Sequence, residues 1–232
     1  LVVGSIAGAL PFTKSLFYRW FQKSQVSERP DDPRIIAFSK LIDNEGCCEP
    51  VAIDPMRDVA MIQYTGGTTG VPKGAVLTHQ NVTANARQLV AIDPDTGAED
   101  RVLGALPLFH IFANAVVLNR TVLAGGEVVM LPRFDAGQVL SAIARTGATM
   151  LPGVPTMYQA LLDHPDIGKT DFSSLRVCSS GGAPLAAPLK QRFEAATGAR
   201  LIEGYGLTET SGVACVNPYE GDDRTGTIGQ PL

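Results

Sequence analysis

Residues 59–74 read VAMIQYTGGTTGVPKG, and this stretch joins an apolar run of strand length to a turn rich in glycine. The run 59–64 is predicted to form a β-strand. Because glycine weakens regular structure, we expect the turn to adopt an unusual backbone shape whose successive N–H groups surround an anion. Threonine hydroxyl groups and one lysine would add donors and a positive charge. The residues that we expect to bind phosphate are Thr65, Gly66, Gly67, Thr68, Thr69, Gly70 and Lys73.

This turn does not match the commonest phosphate-binding loop, G-x-x-x-x-G-K-[ST]. Counting from Gly66 or Gly67 places Val71 or Pro72 where the second glycine is required, and Gly74 follows the lysine in place of Ser or Thr. The mismatch argues against an ordinary phosphotransferase or NTPase. A plain surface turn is the alternative, but it would need neither the preceding strand nor the clustered hydroxyl groups.

Beyond this stretch, apolar runs of strand length alternate with segments of helical periodicity. The predicted strands are 101–107, 127–131, 148–151, 175–180 and 199–203. The predicted helices are 80–92 with Val82, Ala86, Leu89 and Val90 on one face, 111–124, Asp135 to Gly147, 155–162, and Ala187 to Gly198. Such alternation favours an α/β fold with a largely parallel sheet and flanking helices, in which ligands bind beyond the carboxyl ends of the strands.

The composition is typical of a globular protein with a hydrophobic core. Of the 232 residues, 45% are hydrophobic and 18% are charged, and the net charge is −4. No segment carries a basic stripe, so nucleic-acid binding is not expected. The four cysteines lack the spacing of a zinc site or a disulfide framework, which favours a reducing, cytoplasmic compartment. The apolar opening, LVVGSIAGALPF, is too short to span a bilayer, and both ends of the sequence suggest an internal fragment.

Two further segments follow predicted strands and carry small or polar residues. The segment 203–210, EGYGLTET, begins like the dinucleotide motif G-x-G-x-x-G, but Glu209 replaces the third glycine, where a carboxylate would be out of place. As a nucleotide site, it offers the Tyr205 ring for a base, the Thr208 hydroxyl for a phosphate, and Glu209 as a hard oxygen ligand for Mg²⁺. The segment 179–184, SSGGAP, is a small-residue turn where a flat ring could approach the backbone.

The segments YTGGTTGVPKG, GGAPL and GYGLTET, in this order and spacing, resemble the adenylate-forming enzymes. That superfamily contains acyl-CoA synthetases, luciferases and the adenylation domains of peptide synthetases. The chain looks most like a bacterial long-chain fatty-acid–CoA ligase and resembles the central part of the large N-terminal domain. The resemblance implies a two-step reaction. A carboxylate and ATP give an acyl-adenylate and pyrophosphate, and the CoA thiolate then displaces AMP. It implies ATP and Mg²⁺ as cofactors, with a fatty acid and CoA as the other small-molecule partners.

The resemblance also implies roles for individual residues. Lys73 and the loop 65–74 would hold the β- and γ-phosphates, Tyr205 would stack on adenine, and Thr208 would touch the α-phosphate. His110, in PLFHIF, matches a position near the acyl carboxylate. The implied catalytic residues are Lys73, His110, Thr208 and Glu209, and the implied metal ligands are Thr65 and Glu209. The implied ATP-binding residues, besides the loop, are Gly181, Gly182, Ala183, Pro184, Glu203, Gly204, Tyr205, Gly206 and Thr208. Many family members have Ser or Thr where Gly66 stands, so one hydroxyl contact is absent.

We predict an irregular, amphipathic segment 1–57 and an α/β nucleotide-binding region 58–232, without the family's mobile C-terminal domain. The 232 residues alone are therefore expected to form no acyl-adenylate. In the first segment, Phe17 and Phe21 lie four residues apart among Lys14, Arg19 and Lys23. Such a helix could make peripheral contact with the inner face of a membrane, pack on a domain core, or join two subunits of a homodimer. Loading of an acid onto a carrier protein, and nucleotide binding without catalysis, are the other functional hypotheses.

Overall fold

The computed structural model describes residues 2–21, 31–47, 49–66, 71–221 and 224–232. The chain divides into two units, 1–52 and 53–232. Gly67, Thr68, Thr69 and Gly70 of the predicted phosphate loop lie outside the described residues, as does Lys23.

The first unit is built from short elements. Strands β1 (Val2–Val3) and β2 (Ile36–Ala37) pair in parallel, and the helices are α1 (Ile6–Ala9), α2 (Phe12–Phe21) and α3 (Phe38–Leu41). Helix α2 has no buried residue. Its exposed side chains include Phe12 at 84% and Trp20 at 75%, and the rings of Phe17 and Phe21 stack with centroids 4.4 Å apart. Unlike the other elements of this unit, α2 therefore presents a row of unburied aromatic side chains.

The second unit holds the remaining nine strands and six helices of the described chain. The strands are β3 (Val59–Thr65), β4 (Lys73–Thr78), β5 (Arg101–Gly104), β6 (Glu127–Met130), β7 (Met150–Gly153), β8 (Val177–Ser180), β9 (Arg200–Leu207), β10 (Gly212–Val216) and β11 (Gln230–Pro231). The helices are α4 (His79–Ala91), α5 (Ile111–Ala113), α6 (Arg120–Ala124), α7 (Ala136–Thr146), α8 (Pro155–Leu162) and α9 (Ala187–Thr197). The π-helical turn Asn114–Asn119 joins α5 to α6.

Seven of these strands form one sheet in the order β11-β10-β9-β8-β7-β5-β6. The neighbours from β6 to β9 are all parallel, whereas β10 runs antiparallel to β9 and to β11. The α/β fold with a largely parallel sheet, predicted from the alternation of strands and helices, is therefore confirmed. The antiparallel edge was not predicted, because the pairing of β10 with β9 leaves no periodic signal of its own in the sequence.

Side chains alternate between the two faces of the sheet, and each face has its own core. Leu103, Leu151 and Leu201 pack with residues of α7, α8 and α9, whereas Val102 and Ile202 pack with residues of α4 and the helical segment 111–119. Because both faces are covered by helices, the central strands are apolar on both sides, as in other parallel sheets. This arrangement leaves the carboxyl ends of the strands as the open edge of the unit.

Strands β3 and β4 form a separate antiparallel hairpin, which corrects one feature of the sequence interpretation. The run 59–64 was predicted as one of the strands that alternate with helices, but it pairs with the strand Lys73–Thr78 outside the main sheet. This second strand was not predicted, because its sequence continues the glycine-rich turn. The pair Thr65 and Lys73 closes the hairpin, so both residues lie at strand ends rather than inside a long loop. The expected loop is thus shorter than 65–74, and its two flanks are held in register.

Candidate functional site

A small cavity of about 50 Å³ lies where the chain leaves β8 and runs along β9. It brings together residues that are far apart in sequence, from α4, the start of α5, the ends of β8 and β10, and the middle of β9. The sequence-predicted residues that line it are His110, Gly181, Gly182, Gly204, Tyr205 and Gly206. Ser179 and Ser180, from the predicted small-residue turn 179–184, also line it. The lining is completed by residues that were not predicted to belong to the site: Leu89, Ile111, Phe112, Val116, Gly212, Val213, Val216 and Tyr219.

Phe112 forms an apolar wall of this cavity against the glycine turn. A Cβ atom added to Gly181 would lie 3.2 Å from the Phe112 ring, so a side chain at this position would push the ring back by a few tenths of an ångström. The Gly181 N–H donates to the Gly153 carbonyl at 3.2 Å, and Gly182 has a φ of +77°. The two glycines therefore give the turn a bare surface beside an aromatic ring, which suits a flat ligand.

His110 caps the N-terminus of α5 and also lines the cavity. Its Nδ1 accepts a hydrogen bond from the Phe112 N–H at 3.2 Å. In the neutral imidazole, the proton must then sit on Nε2, so the ring presents a donor rather than an acceptor at its outer nitrogen. The residue before it is tied to the hairpin, because Gln63 Nε2 donates to the Phe109 carbonyl at 2.8 Å. This bond connects the position of His110 to that of β3.

Two tyrosines face the same cavity but differ in their surroundings. Tyr205, on β9, is 43% exposed, whereas Tyr219 is only 7% exposed. Burial raises the pKa of Tyr219 to about 12, so its hydroxyl stays protonated at neutral pH. Tyr205 therefore has the accessible ring surface that a base could stack on, and Tyr219 closes the inner end of the cavity.

Glu203 does not line the cavity, although it was predicted among the ATP-binding residues. Its carboxylate accepts a hydrogen bond from the Leu185 N–H at 3.0 Å, and its carbonyl accepts one from the Asn217 N–H at 2.9 Å. Glu203 thereby fixes the turn that contains Ala183 and Pro184 against β9. Those two residues lie in the same turn and are likewise absent from the cavity wall.

Thr208 and Glu209 lie in a single 3₁₀ turn, Thr208–Thr210, directly after β9. The Cα atoms of this turn come within 8 Å of those of both β3 and β4, so the turn stands beside the hairpin that ends in Thr65 and Lys73. The Thr65 hydroxyl is 3.5 Å from the Lys73 carbonyl. Lys73 and Glu209 are both exposed, and Glu209 makes no hydrogen bond or ion pair with the described residues. An exposed lysine, two threonines and an unpaired carboxylate thus share one surface.

The backbone around this turn is tightly constrained. Ser211 has a φ of +64° and is the only non-glycine residue with positive φ in the described part of the chain. A Cβ atom on Gly206 would lie 1.9 Å from the Gly212 carbonyl oxygen. Glycine is therefore required at position 206, and the chain can enter and leave the turn only along one path.

The donor set at this surface fits a divalent cation that takes most of its ligands from phosphate and water. The described residues contain no group of three or more His, Cys, Asp or Glu side chains placed to hold a metal. Mg²⁺ that binds together with substrate phosphates needs only one or two carboxylates from the protein, and Glu209, which has no partner among the described residues, offers one. Across the described ranges, no helix is both long and apolar enough to cross a bilayer.

Comparison with known proteins agrees with the family resemblance found in the sequence motifs. A family profile described as "AMP-binding enzyme" matches residues 12–232. The long-chain-fatty-acid–CoA ligase of Bacillus subtilis is 41% identical over 236 residues, covering 100% of this chain and 42% of the relative. A feruloyl-CoA synthase of Amycolatopsis is 42% identical over 183 residues, covering 78% of this chain and 36% of the relative. The chain thus spans well under half the length of these curated relatives.

Solved structures resemble the chain at the level of the fold as well. ATP-bound MatB from Rhodopseudomonas palustris has a TM-score of 0.70 and 40% identity, with 75% of this chain and 34% of that chain covered. A long-chain-fatty-acid–CoA ligase from Archaeoglobus fulgidus has a TM-score of 0.78 and 27% identity, with 100% of this chain and 47% of that chain covered. The similarity therefore extends through both units of the chain.

Proposed function

Because the chain belongs to the family of AMP-binding enzymes, we propose that the enzyme containing it activates a carboxylic acid with ATP and transfers the acyl group to CoA. In the first step, a carboxylate oxygen attacks the α-phosphorus of ATP, the bond to the β-phosphate oxygen breaks, and pyrophosphate leaves. In the second step, the CoA thiolate attacks the acyl carbon and AMP leaves. The observation that carries the proposal is the grouping of Thr65, Lys73, Thr208 and Glu209 beside the cavity-forming strand β9.

The residues of the cavity are proposed to hold the nucleoside. The exposed ring of Tyr205 offers a stacking surface, and the bare turn at Gly181 and Gly182 lets a flat base approach the backbone. Gly204 and Gly206 line the same wall. At the other end, Lys73 and the loop before it are proposed to bind the β- and γ-phosphates, and Thr208 the α-phosphate.

Charge is the main obstacle to the first step, since an anionic acid must approach an anionic phosphate. Fixed donors that meet the charge developing in the transition state are the largest catalytic contribution that a protein can make to such a reaction. Lys73 would supply a positive charge, and the Nε2–H of the neutral His110 imidazole, whose Nδ1 is occupied by the Phe112 N–H, is proposed to donate to an oxygen of the acid. When bound, Mg²⁺ would supply further positive charge at the phosphates, and Glu209 with Thr65 would hold it.

We propose a long-chain fatty acid as the substrate and ferulate as the second candidate. The first rests on similarity to long-chain-fatty-acid–CoA ligases, and the second on a feruloyl-CoA synthase with a comparable identity. Loading onto a carrier protein is the third possibility within the family. These acids differ in shape and polarity rather than in the reacting group, so the same phosphate and nucleoside sites would serve each of them.

ATP–pyrophosphate exchange by the enzyme that contains this chain tests the proposal. The acids would be palmitate, ferulate and an amino acid, each with and without CoA, and the Lys73→Ala variant would serve as a reference with weakened ATP binding. We expect exchange with palmitate, and thioester formation once CoA is added. Exchange with ferulate alone would show that ferulate, and not a long-chain fatty acid, represents the substrate class. The absence of exchange with every acid would refute the adenylation step.

We also propose that the enzyme is cytoplasmic and makes peripheral contact with the inner membrane face through α2. The support is the exposure of Phe12 and Trp20, with Lys14 and Arg19 available to attract anionic lipid headgroups. A homodimer that buries the same aromatic side chains is the competing hypothesis. Co-sedimentation with anionic vesicles, lost on Trp20→Ser with Phe21→Ser, would support the membrane. A protein that does not bind vesicles, and that dissociates to monomers when these substitutions are made, would support the dimer.

A further inference from the structure

Asn85, in the middle of α4, is buried and bonds to a strand far away in sequence. It is 3% exposed. Its Nδ2 donates to the Val213 carbonyl at 2.7 Å, and its Oδ1 accepts from the Val213 N–H at 3.2 Å. One amide side chain therefore satisfies both backbone polar groups of a single residue. An apolar side chain at position 85 would leave both groups buried without partners, which is unfavourable.

The bonded residue lies where the chain leaves the turn that contains Glu209. Val213 is the second residue of β10, and the pairing of β10 with β9 shifts register between Val213 and Cys215. The irregularity weakens the hold of the sheet on this end of the strand. Gly212 has a φ of +131°, and a Cβ atom there would lie 2.7 Å from Asn85 Oδ1. The absence of a side chain at position 212 is thus what allows the amide to reach the backbone.

The other end of α4 is joined directly to the phosphate-binding hairpin. Strand β4 ends at Thr78, which is also the N-cap of α4 and shares a capping box with Asn81. No loop separates strand from helix, so the helix is a rigid extension of the strand that begins with Lys73. Asn85 lies about two helical turns along that extension.

We propose that Asn85 is a positioning residue that fixes the Thr208–Thr210 turn, and with it Glu209, relative to the hairpin that carries Lys73. The two halves of the phosphate-binding surface come from separate segments of the chain, and the Asn85 amide joins α4, which continues from the hairpin, to the strand that follows the turn. The inference rests on the proposed function of the two halves. It differs from a packing role because it predicts weaker nucleotide binding and faster hydrogen exchange in residues 207–216, which a variant that only destabilises α4 would not show.

The test compares Asn85→Asp with Ala86→Gly in the full enzyme. Asn85→Asp keeps the size of the side chain and the acceptor for the Val213 N–H, but it replaces the donor to the Val213 carbonyl with a second acceptor. Ala86→Gly is the matched control, since it weakens the same buried part of α4 through backbone entropy and leaves the amide in place. Asn85→Ser, which is neutral but too short to reach both groups, would replace Asn85→Asp if that variant failed to fold.

Three measurements apply to each variant: the Kd for Mg-ATP by calorimetry, the KM for the acid, and hydrogen exchange of residues 207–216 without nucleotide. For Asn85→Asp we expect the Kd for Mg-ATP to rise about three- to tenfold, as the loss of one buried hydrogen bond implies. The KM for the acid should change by less than about twofold, because the hydrogen bonds of His110 are untouched. Exchange in 207–216 should become faster. Ala86→Gly should lower the Tm by roughly 2–4 °C without these changes.

Equal effects of the two variants on the Kd, or unchanged exchange in Asn85→Asp, would overturn the inference. A different result would refute the proposed function. A wild-type enzyme that neither binds Mg-ATP nor activates any acid would do so, independently of the results for the Asn85 variants. The exchange measurement needs no ligand, so it tests the bond from Asn85 to the turn in either case.

Discussion

Replacing Arg120 with methionine should destabilise the second unit more than any other single loss of charge in its described residues. The Arg120 side chain is fully buried on α6 and bonds to Asp93 and to Asp100, the latter at 3.1 Å. Arg176 completes the cluster, with its Nη1 2.7 Å from Asp93 and its Nη2 3.1 Å from Asp100. Asp93 is 0% exposed and Asp100 is 3% exposed. The cluster ties the amino ends of β5 and β8 to α6.

The expected loss in free energy of unfolding follows from the charges that remain in the variant. Arg120 and Arg176 face the buried Asp93 and Asp100, and the exposed Asp95 lies 3.8 Å from Arg176. Among the described residues, Arg120→Met leaves Arg176 as the one cation beside the two buried carboxylates. Breaking a buried ion pair from one side costs about 3–5 kcal/mol. Arg120 Nε and Nη1 have no partner in the described structure, so their removal offsets part of this cost, and we expect a loss near 3 kcal/mol. Arg192→Met is the matched control. Its pair with Asp163, at 4.0 Å, is exposed and should contribute less than about 1 kcal/mol.

Urea unfolding followed by circular dichroism measures both variants, and its pH dependence adds a second check. Burial alone would raise the pKa of Asp100, but the charge of Arg120 and hydrogen bonds from Thr96, Thr149 and Arg176 outweigh it and hold the pKa below the usual value of an aspartate. The carboxylate therefore stabilises the fold above that value and loses its effect as the pH falls through the folded pKa. Without Arg120 this stabilisation weakens. The difference in free energy of unfolding between wild type and variant should therefore become smaller as the pH falls. A loss below about 1 kcal/mol at pH 7, or a gap that widens in acid, would refute the reasoning.

Three further predictions concern the site. Glu209→Gln removes the unpaired carboxylate, so acyl-adenylate formation should fall about ten- to a hundredfold and recover partly at high Mg²⁺, while the Tm stays unchanged. Full activity at low Mg²⁺ would assign Glu209 a different role. Lys73→Ala should raise the KM for ATP by roughly ten- to a hundredfold, because a charge-assisted bond is lost, and unchanged ATP kinetics would exclude the phosphate contact. Gly206→Ala cannot fit against the Gly212 carbonyl oxygen and should lower both the Tm and Mg-ATP binding. A variant with wild-type values for both would contradict the close packing of β9 and β10.

The elements that were predicted well are those whose ends carry local chemical signals. Asp135 caps α7 by accepting from the Gln138 N–H, and Gly147 ends that helix with a φ of +64°, as the sequence indicated. The parallel strands were visible as apolar runs because both faces of the sheet are covered. Strand β4 was missed because Lys73 and Gly74 follow the glycine-rich turn without a break in the sequence pattern, and their strand conformation comes from pairing with β3.

The candidate site shows the same division between local and distant information. Residues within sequence motifs, such as Tyr205 and Gly181, were found at the cavity, whereas Phe112 and Tyr219 were not predicted because only the fold brings them there. Asn85 lies on the buried face of α4, but apolar periodicity does not identify it because its side chain is a polar amide. Its role depends on Val213, which no local signal in the sequence connects with it.

The arrangement of the phosphate-binding surface has a consequence for how the site is stabilised. The hairpin β3–β4 does not belong to the seven-stranded sheet, so no ladder of strand hydrogen bonds holds it against β9. Among the described residues, its connections to the rest of the unit include the Gln63 bond to the Phe109 carbonyl, the direct passage into α4, and the approach of the Thr208–Thr210 turn. Individual hydrogen bonds contribute only about 0.5–1.5 kcal/mol each, far less than the packed core of the sheet. The position of the hairpin beside β9 therefore depends on these few connections, and substitutions at Gln63 or Asn85 should alter ATP binding.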